Sequence, residues 1–222
     1  ELIRRWFNLH PEFSWLPGKF KIAINGAKFD ETALRIHDLG LRLVRNKEGE
    51  LGFTVYVGGG LGAAAMVAAE TASFVPVEDI LSYLESAMRI YNLKGRRDHL
   101  KKLRIKFLVR ELGAEEYSRL VDEDWKQTRD DPDLKLNLTH LSELEKDFAL
   151  PIKPLALDGF EDKVDFNYSI WKKNNVRAHK ISGHSIVNIS LTKLGAAPGD
   201  ATSEQMRILA DLADQYGYSE LR

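Results

Sequence analysis

An α+β fold, a mixed sheet with flanking helices, follows from three observations on the sequence. Strand-like patterns mark residues 19–25 and 52–57, amphipathic helices succeed one another between residues 77 and 126, and one more strand and helix lie near the end. Lys19–Asn25 (KFKIAIN) places Phe20, Ile22 and Ile24 on one face and Lys19, Lys21 and Ala23 on the other, a half-buried strand with two lysines on its polar side. Ala33–Val44 reads either as a short helix or as strands broken at Gly40, and Asn46–Glu50 as a turn. Gly52–Val57 (GFTVYV) is a β-branched and aromatic strand that runs into Gly58–Gly62 (GGGLG), and the alanine-rich residues 63–72 then predict a helix.

The helical block is better defined. Val77–Tyr91 follows Pro76 and lines up Ile80, Leu84, Ala87 and Tyr91 on one stripe. Gly95 ends it, Asp98–Glu111 predicts a second helix, and residues 114–126 a third. A polar stretch with prolines at 132, 151 and 154 suggests a boundary, giving a first domain over 1–126, a linker with a helical segment over 127–165, and a second block over 166–222. In that block Ser185–Leu191 (SIVNISL) alternates, and Thr202 with Gln205 forms a T-x-x-Q capping box opening a helix over 203–216.

Composition narrows the function. The 222 residues carry 32 Lys+Arg against 33 Asp+Glu, a net charge of -1, which argues against a globally basic nucleic-acid binder. No apolar run reaches membrane-spanning length, and the chain is expected to be a cytoplasmic protein that meets neither nucleic acid nor membrane. With Cys 0, this chain supplies no disulfide, thiol nucleophile or thiolate metal ligand. The six histidines show no helical ligand pair, so no metal site is expected, and no Ser-His-Asp arrangement is evident.

Local charge says more than net charge. Lys94 to Arg110 holds Lys94, Arg96, Arg97, Lys101, Lys102, Arg104, Lys106 and Arg110 against the single acid Asp98. On a helix Arg97, Lys101 and Arg104 would share one face at i, i+4 and i+7, a stripe suited to a polyanionic small ligand or to solvent. The glycine loop supports several readings: a backbone cradle for phosphate or carboxylate, a dinucleotide loop lacking its second strand, or a turn needing glycine for geometry alone. Lys19 and Lys21, about 7 Å apart along a strand, are either solubilising charge or a pair that holds an oxyanion and delivers protons.

The order of segments is more specific than any one of them. LPGKFKIAI, HDLGLRLV, GELGFTVYVGGGLG, FVPVEDILSYLESAMRIYNLKGRRD and LRIKFLVRELGAEEY together resemble the nitrite/sulfite reductase hemoprotein family. SIVNISL with GAAPGDATSEQMRILADLADQYGYSELR resembles that family's second ferredoxin-like half-domain, here incomplete, so the chain reads as an internal fragment. The resemblance implies siroheme coupled to a [4Fe-4S] cluster, and six-electron reduction of sulfite or nitrite with electrons from ferredoxin or a flavoprotein. It makes Lys19 and Lys21 catalytic. It gives Gly58, Gly59 and Gly60 to the macrocycle's carboxylates as backbone donors, and assigns Arg97, Lys101 and Arg104 to the same carboxylates. Gly18 stands where the family usually has arginine, and Ala63, Ala64 and Ala65 replace R-T-P. The cluster's cysteine ligands are not in this chain, which alone is expected to be inactive. The competing expectation is a non-catalytic anion or tetrapyrrole-binding module diverged from that family.

Overall fold

The computed structural model describes residues 1–8, 10–147, 165–179, 181–219 and 221. They fall into two compact units, Glu1–Asp147 and Phe148–Arg222.

The first unit opens with helix α1 (Leu2–Phe7) and builds a four-stranded sheet in the order β1 (Ile22–Asn25), β2 (Leu39–Arg45), β3 (Leu51–Val57), β4 (Ala69–Pro76). β1 runs parallel to β2 with Ile22 opposite Leu39, and β2–β3 and β3–β4 are antiparallel. The sheet is therefore mixed. The turn between β2 and β3 forms where the sequence placed it. The Asn46 Oδ1 accepts the N–H groups of Glu48 and Glu50, and Gly49 takes the positive φ that the tight reversal requires. Helices α2 (Ile80–Lys94), α3 (Ile105–Leu112) and α4 (Ala114–Thr128) pack on the sheet. The stripe expected on α2 is the core: Ile80, Leu84, Ala87 and Tyr91 are all buried with Leu39, Leu41, Val55, Val57, Val75, Ile105 and Tyr117. Gly113, at φ 84, separates α3 from α4.

Two expectations are corrected here. Residues 63–72 do not form a helix: a loop reverses the chain and Ala69–Pro76 becomes β4. Alanine's helix propensity amounts to less than about 1 kcal/mol per residue, and it yields to the ladder with β3 and to burial of Ala68 and Val75. Asp98–Glu111 is not one helix either. Leu100–Lys102 is a single 3₁₀ turn, Arg104 is extended (φ -68, ψ 150), and α3 starts at Ile105. Leu100 is 88% exposed, so the segment does not present a continuous buried helical face.

The first unit extends to Asp147 through helix α5 (Leu138–Asp147). Leu136 is buried in its core, and the Leu136 N–H donates to the Glu78 carbonyl. The rest of the expected linker, with the prolines at 151 and 154, lies outside the described residues.

The second unit contains α6 (Phe166–Asn175), an antiparallel ribbon of β5 (Val176–Ala178) and β6 (Ser185–Val187), and α7 (Ser203–Tyr216). The expected strand over 185–191 forms only at its first three residues. The expected capping box is present, with the Thr202 side chain accepting the Gln205 N–H and the Gln205 side chain accepting the Thr202 N–H.

Candidate functional site

Asp38 lies at the centre of the first unit's chemistry, immediately before β2. Its side chain is 0% exposed. One carboxylate oxygen accepts the backbone N–H of Lys21 at 2.9 Å, and the other accepts Arg104 Nε at 2.9 Å. Its own carbonyl accepts the Gly58 N–H at 2.9 Å. One residue therefore ties together the lysine segment, the glycine loop and the start of α3. Burial raises the Asp38 carboxyl above its ordinary range, opposed by the charge and hydrogen bond of Arg104 and by the Lys21 N–H.

The folded chain holds this proton more tightly than the unfolded chain, so Asp38's contribution to stability falls as pH rises from about 4 through the folded value. Urea midpoints for wild type and Asp38→Asn over that range should show a smaller fall in the variant.

The glycine loop is built by packing. A Cβ on Gly59 would meet the Arg35 and His37 carbonyl oxygens at 2.4 and 2.5 Å, so only glycine fits there. Gly58 has φ +93 and packs against Val109. The expected strand–loop–helix cradle is absent. The loop returns through a bridge between Gly60 and Met66, whose N–H and carbonyl groups bond reciprocally at 2.9 and 2.8 Å. The Gly58 and Gly60 N–H groups are thus occupied within the fold, and among the three expected donors only Gly59 has an N–H without a backbone partner in the described residues.

The basic segment and the loop line an open cavity of about 490 Å³. Its walls carry His99, Lys101, Lys102, Arg104, Lys106 and Arg110 beside apolar Leu61, Leu100, Leu103 and Phe107, with no acidic side chain among the lining residues. Lys106, 4% exposed, donates to the Leu61 carbonyl at 3.0 Å and the Ala64 carbonyl at 2.7 Å, holding the loop as one wall. Burial first, then the charges of Arg104 and Arg110, lowers its pKa, with Asp38 opposing. Arg110 stacks over Phe107.

The Arg97–Lys101–Arg104 stripe is corrected, because these residues do not share a helix. Lys101 and Arg104 line the cavity. Arg97 does not: its guanidinium donates to the Trp15 and Asn92 carbonyls and to Asn92 Oδ1, tying the loop after α2 to the N-terminal segment. Lys102, which would sit off the stripe on a continuous helix, lines the cavity instead. Lys19 and Lys21 are exposed and precede β1 rather than lying in it. Lys21 is nevertheless fixed, because its carbonyl accepts the Leu39 N–H at 3.1 Å while its N–H reaches Asp38.

Sequence reasoning missed Asp38 as an organiser, and missed Lys106 and Arg110 as site residues. The H-D-L-G segment and the local cation excess contained these residues, but nothing in their spacing said which of them meet. His179 and His184 flank a turn, and His184 Nε2 bonds the Tyr218 hydroxyl at 2.9 Å. Among the described residues no group of three or more His, Asp or Glu is arranged to hold a metal ion, and no helix is long and apolar enough to cross a membrane.

Comparison with known proteins places this geometry. Sulfite reductase [ferredoxin] 1 of Mycolicibacterium paratuberculosis is 30% identical over 129 residues, covering 58% of this chain and 23% of that protein. The chloroplastic ferredoxin–nitrite reductase of Arabidopsis thaliana is 27% identical over 214 residues, 96% of this chain and 31% of the relative. The structure of the Mycobacterium tuberculosis NirA protein superposes with a TM-score of 0.53 at 26% identity, covering 57% of this chain and 23% of that one. The chain thus spans less than a third of the length of these relatives. The family model described as the nitrite and sulphite reductase 4Fe-4S domain matches residues 1–129, the stretch that contains the sheet, Asp38 and the whole lining of the basic cavity, and the chain belongs to that family.

Proposed function

We propose that this chain is the siroheme-binding portion of a sulfite or nitrite reductase, and that the cavity between residues 61–64 and 99–110 receives the carboxylate-bearing edge of the macrocycle. The observation that carries this reading is the lining itself. Five lysines and arginines with one histidine surround apolar Leu61, Leu100, Leu103 and Phe107, no acid lies among the lining residues, and Asp38 pairs with Arg104 alone from behind the wall. Siroheme is a flat apolar ring edged by eight carboxylates, so the donor set fits it in both respects. Bound there and coupled to its cluster, siroheme would pass electrons from the external donor to a small oxyanion.

This chain's own residues divide the remaining work. Lys101, Lys102 and Arg110, which have no acidic partner among the described residues, meet carboxylates. Arg104 contributes the charge left over by its pair with Asp38, and Lys106 holds the loop wall. Leu100, Leu103 and Phe107 cover the apolar ring and exclude water. The exposed ammonium groups of Lys19 and Lys21 bind the oxyanion and return protons to it as charge develops. Relatives named as sulfite and as nitrite reductases both match, and both kinds of name include ferredoxin, which supports ferredoxin as the electron donor. The cluster is a different matter, since a chain with Cys 0 offers it no thiolate.

The test is binding. Siroheme titrated into the 222-residue chain should bind, and Lys101→Glu, Lys102→Glu and Arg110→Glu should each weaken it by about tenfold or more through a lost charge-assisted contact and a new repulsion. Arg97→Ala, which removes a loop tie outside the cavity, should leave affinity within about twofold. Full affinity in all three charge reversals would overturn the assignment of this cavity.

A further inference from the structure

We infer that Asp38 is a positioning residue that acts through Arg104, setting the cavity's guanidinium and the Lys21 backbone in fixed register with one another. This rests on the polyanion-site reading above but goes beyond it, because Asp38 touches no ligand: its side chain is 0% exposed and does not line the cavity. Its two carboxylate oxygens face different elements. Oδ2 accepts the Lys21 N–H at 2.9 Å, and Oδ1 takes Arg104 Nε and Nη2, each at 2.9 Å. The carbonyl of the same residue takes the Gly58 N–H.

Arginine is suited to this arrangement, since its planar fork keeps one orientation when two of its nitrogens are engaged. A guanidinium held along its Nε edge by a buried anion cannot swing into solvent. Its outward face stays in the cavity wall, where 28% of the side chain remains exposed. Backbone geometry supports the same conclusion. Arg104 is extended between the 3₁₀ turn and α3, so its direction is not dictated by a helical rotamer and needs an external anchor. If a buried carboxylate supplies only stability, its neutral isostere costs stability and leaves ligand affinity unchanged. If it aims a binding arginine, the isostere lowers affinity as well.

A double-mutant cycle separates these roles. The probe is uroporphyrin, a tetrapyrrole with eight carboxylates, titrated fluorimetrically into the full 222-residue chain as wild type, Asp38→Asn, Arg104→Gln and the double variant. Asp38→Asn is expected to weaken binding by about tenfold, and to have less than about a twofold effect once Arg104 is already Gln, since the group it acts through is gone. Equal losses in both backgrounds, or no loss in either, would overturn the inference. Should Asp38→Asn not fold, Arg104→Lys keeps the buried charge paired but loses the fork, and unchanged probe affinity in that variant would overturn it.

A ligand-free readout keeps the inference distinct from the site reading. The Arg104 Nε–H resonance should be resolved and slowly exchanging in wild type and should merge with the free arginines in Asp38→Asn. If uroporphyrin fails to bind wild type, the site reading falls and this resonance alone decides: its persistence in Asp38→Asn would overturn the positioning role, and its loss would support it.

Discussion

Replacing Lys19 or Lys21 with methionine in an assembled reductase containing this chain is expected to lower turnover by about 10²–10³ while leaving siroheme content unchanged. The expectation rests on where the structure leaves these side chains. Both are exposed, neither lines the basic cavity, and neither ammonium group forms a salt bridge within 4.0 Å among the described residues, though the Lys21 charge acts on Asp38. An ammonium group that stabilises negative charge developing on an oxyanion matters most in the transition state, so kcat should fall more than macrocycle binding. The two lysines should not be equivalent. Lys21 is fixed through Asp38 and Leu39, and its loss should be the larger of the two. Steady-state rates with sulfite and nitrite, beside the siroheme absorbance per chain, make the comparison. Wild-type rates in both variants would reduce the pair to surface charge.

The largest stability effect is expected at Arg89, which does not line the cavity. Its guanidinium bonds both oxygens of Glu12 at 2.8 and 2.9 Å, Asp124 at 2.8 Å and Glu85 at 3.1 Å. Removing it leaves three carboxylates sharing one poorly hydrated space. Glu85 already has one buried oxygen without a partner, and burial pushes its carboxyl upward. Arg89→Met should therefore cost about 3 kcal/mol, the penalty of leaving buried charge unanswered rather than the net worth of the pairs. The natural comparison is Arg119, which pairs with Glu116 and Glu123 on an exposed helix face. Arg119→Met should leave the urea midpoint nearly unchanged, because solvent screens those pairs. A similar small effect at Arg89 would mean that the N-terminal segment does not depend on this cluster for its attachment to α2.

Arg89 also shows how unevenly the sequence reveals the structure. The stripe Ile80, Leu84, Ala87, Tyr91 declares α2 and its buried face, because helical periodicity is a local property repeated over many residues. The hairpin turn at Asn46–Glu50 and the capping box at Thr202 are equally local, each made by side chains within four residues of the backbone they serve. These elements were legible. The alanine-rich stretch after the glycine loop was not, since its strand exists only because β3 offers a ladder from residues more than ten positions earlier. The helix expected from Asp98 fails for a related reason. The Tyr91 hydroxyl donates to the Leu103 carbonyl at 2.9 Å and Asp38 accepts from Arg104 Nε, and the two contacts hold the backbone open where its own preference is helical.

By itself, then, the sequence determined the α+β class, the amphipathic core helices, the local turns and caps, an excess of cations between residues 94 and 110, and, through the order of its segments, the family. Only the tertiary structure decided which cations share a cavity and which brace the fold. It kept Arg97 out of the cavity, placed Lys102 and Arg110 in the cavity's lining, and joined Asp38 to Arg104 behind it. The physical reason is range. Periodicity, capping and turn chemistry are determined by neighbours within a few residues, whereas a charge finds its partner through burial, and the Asp38–Arg104 pair spans 66 residues.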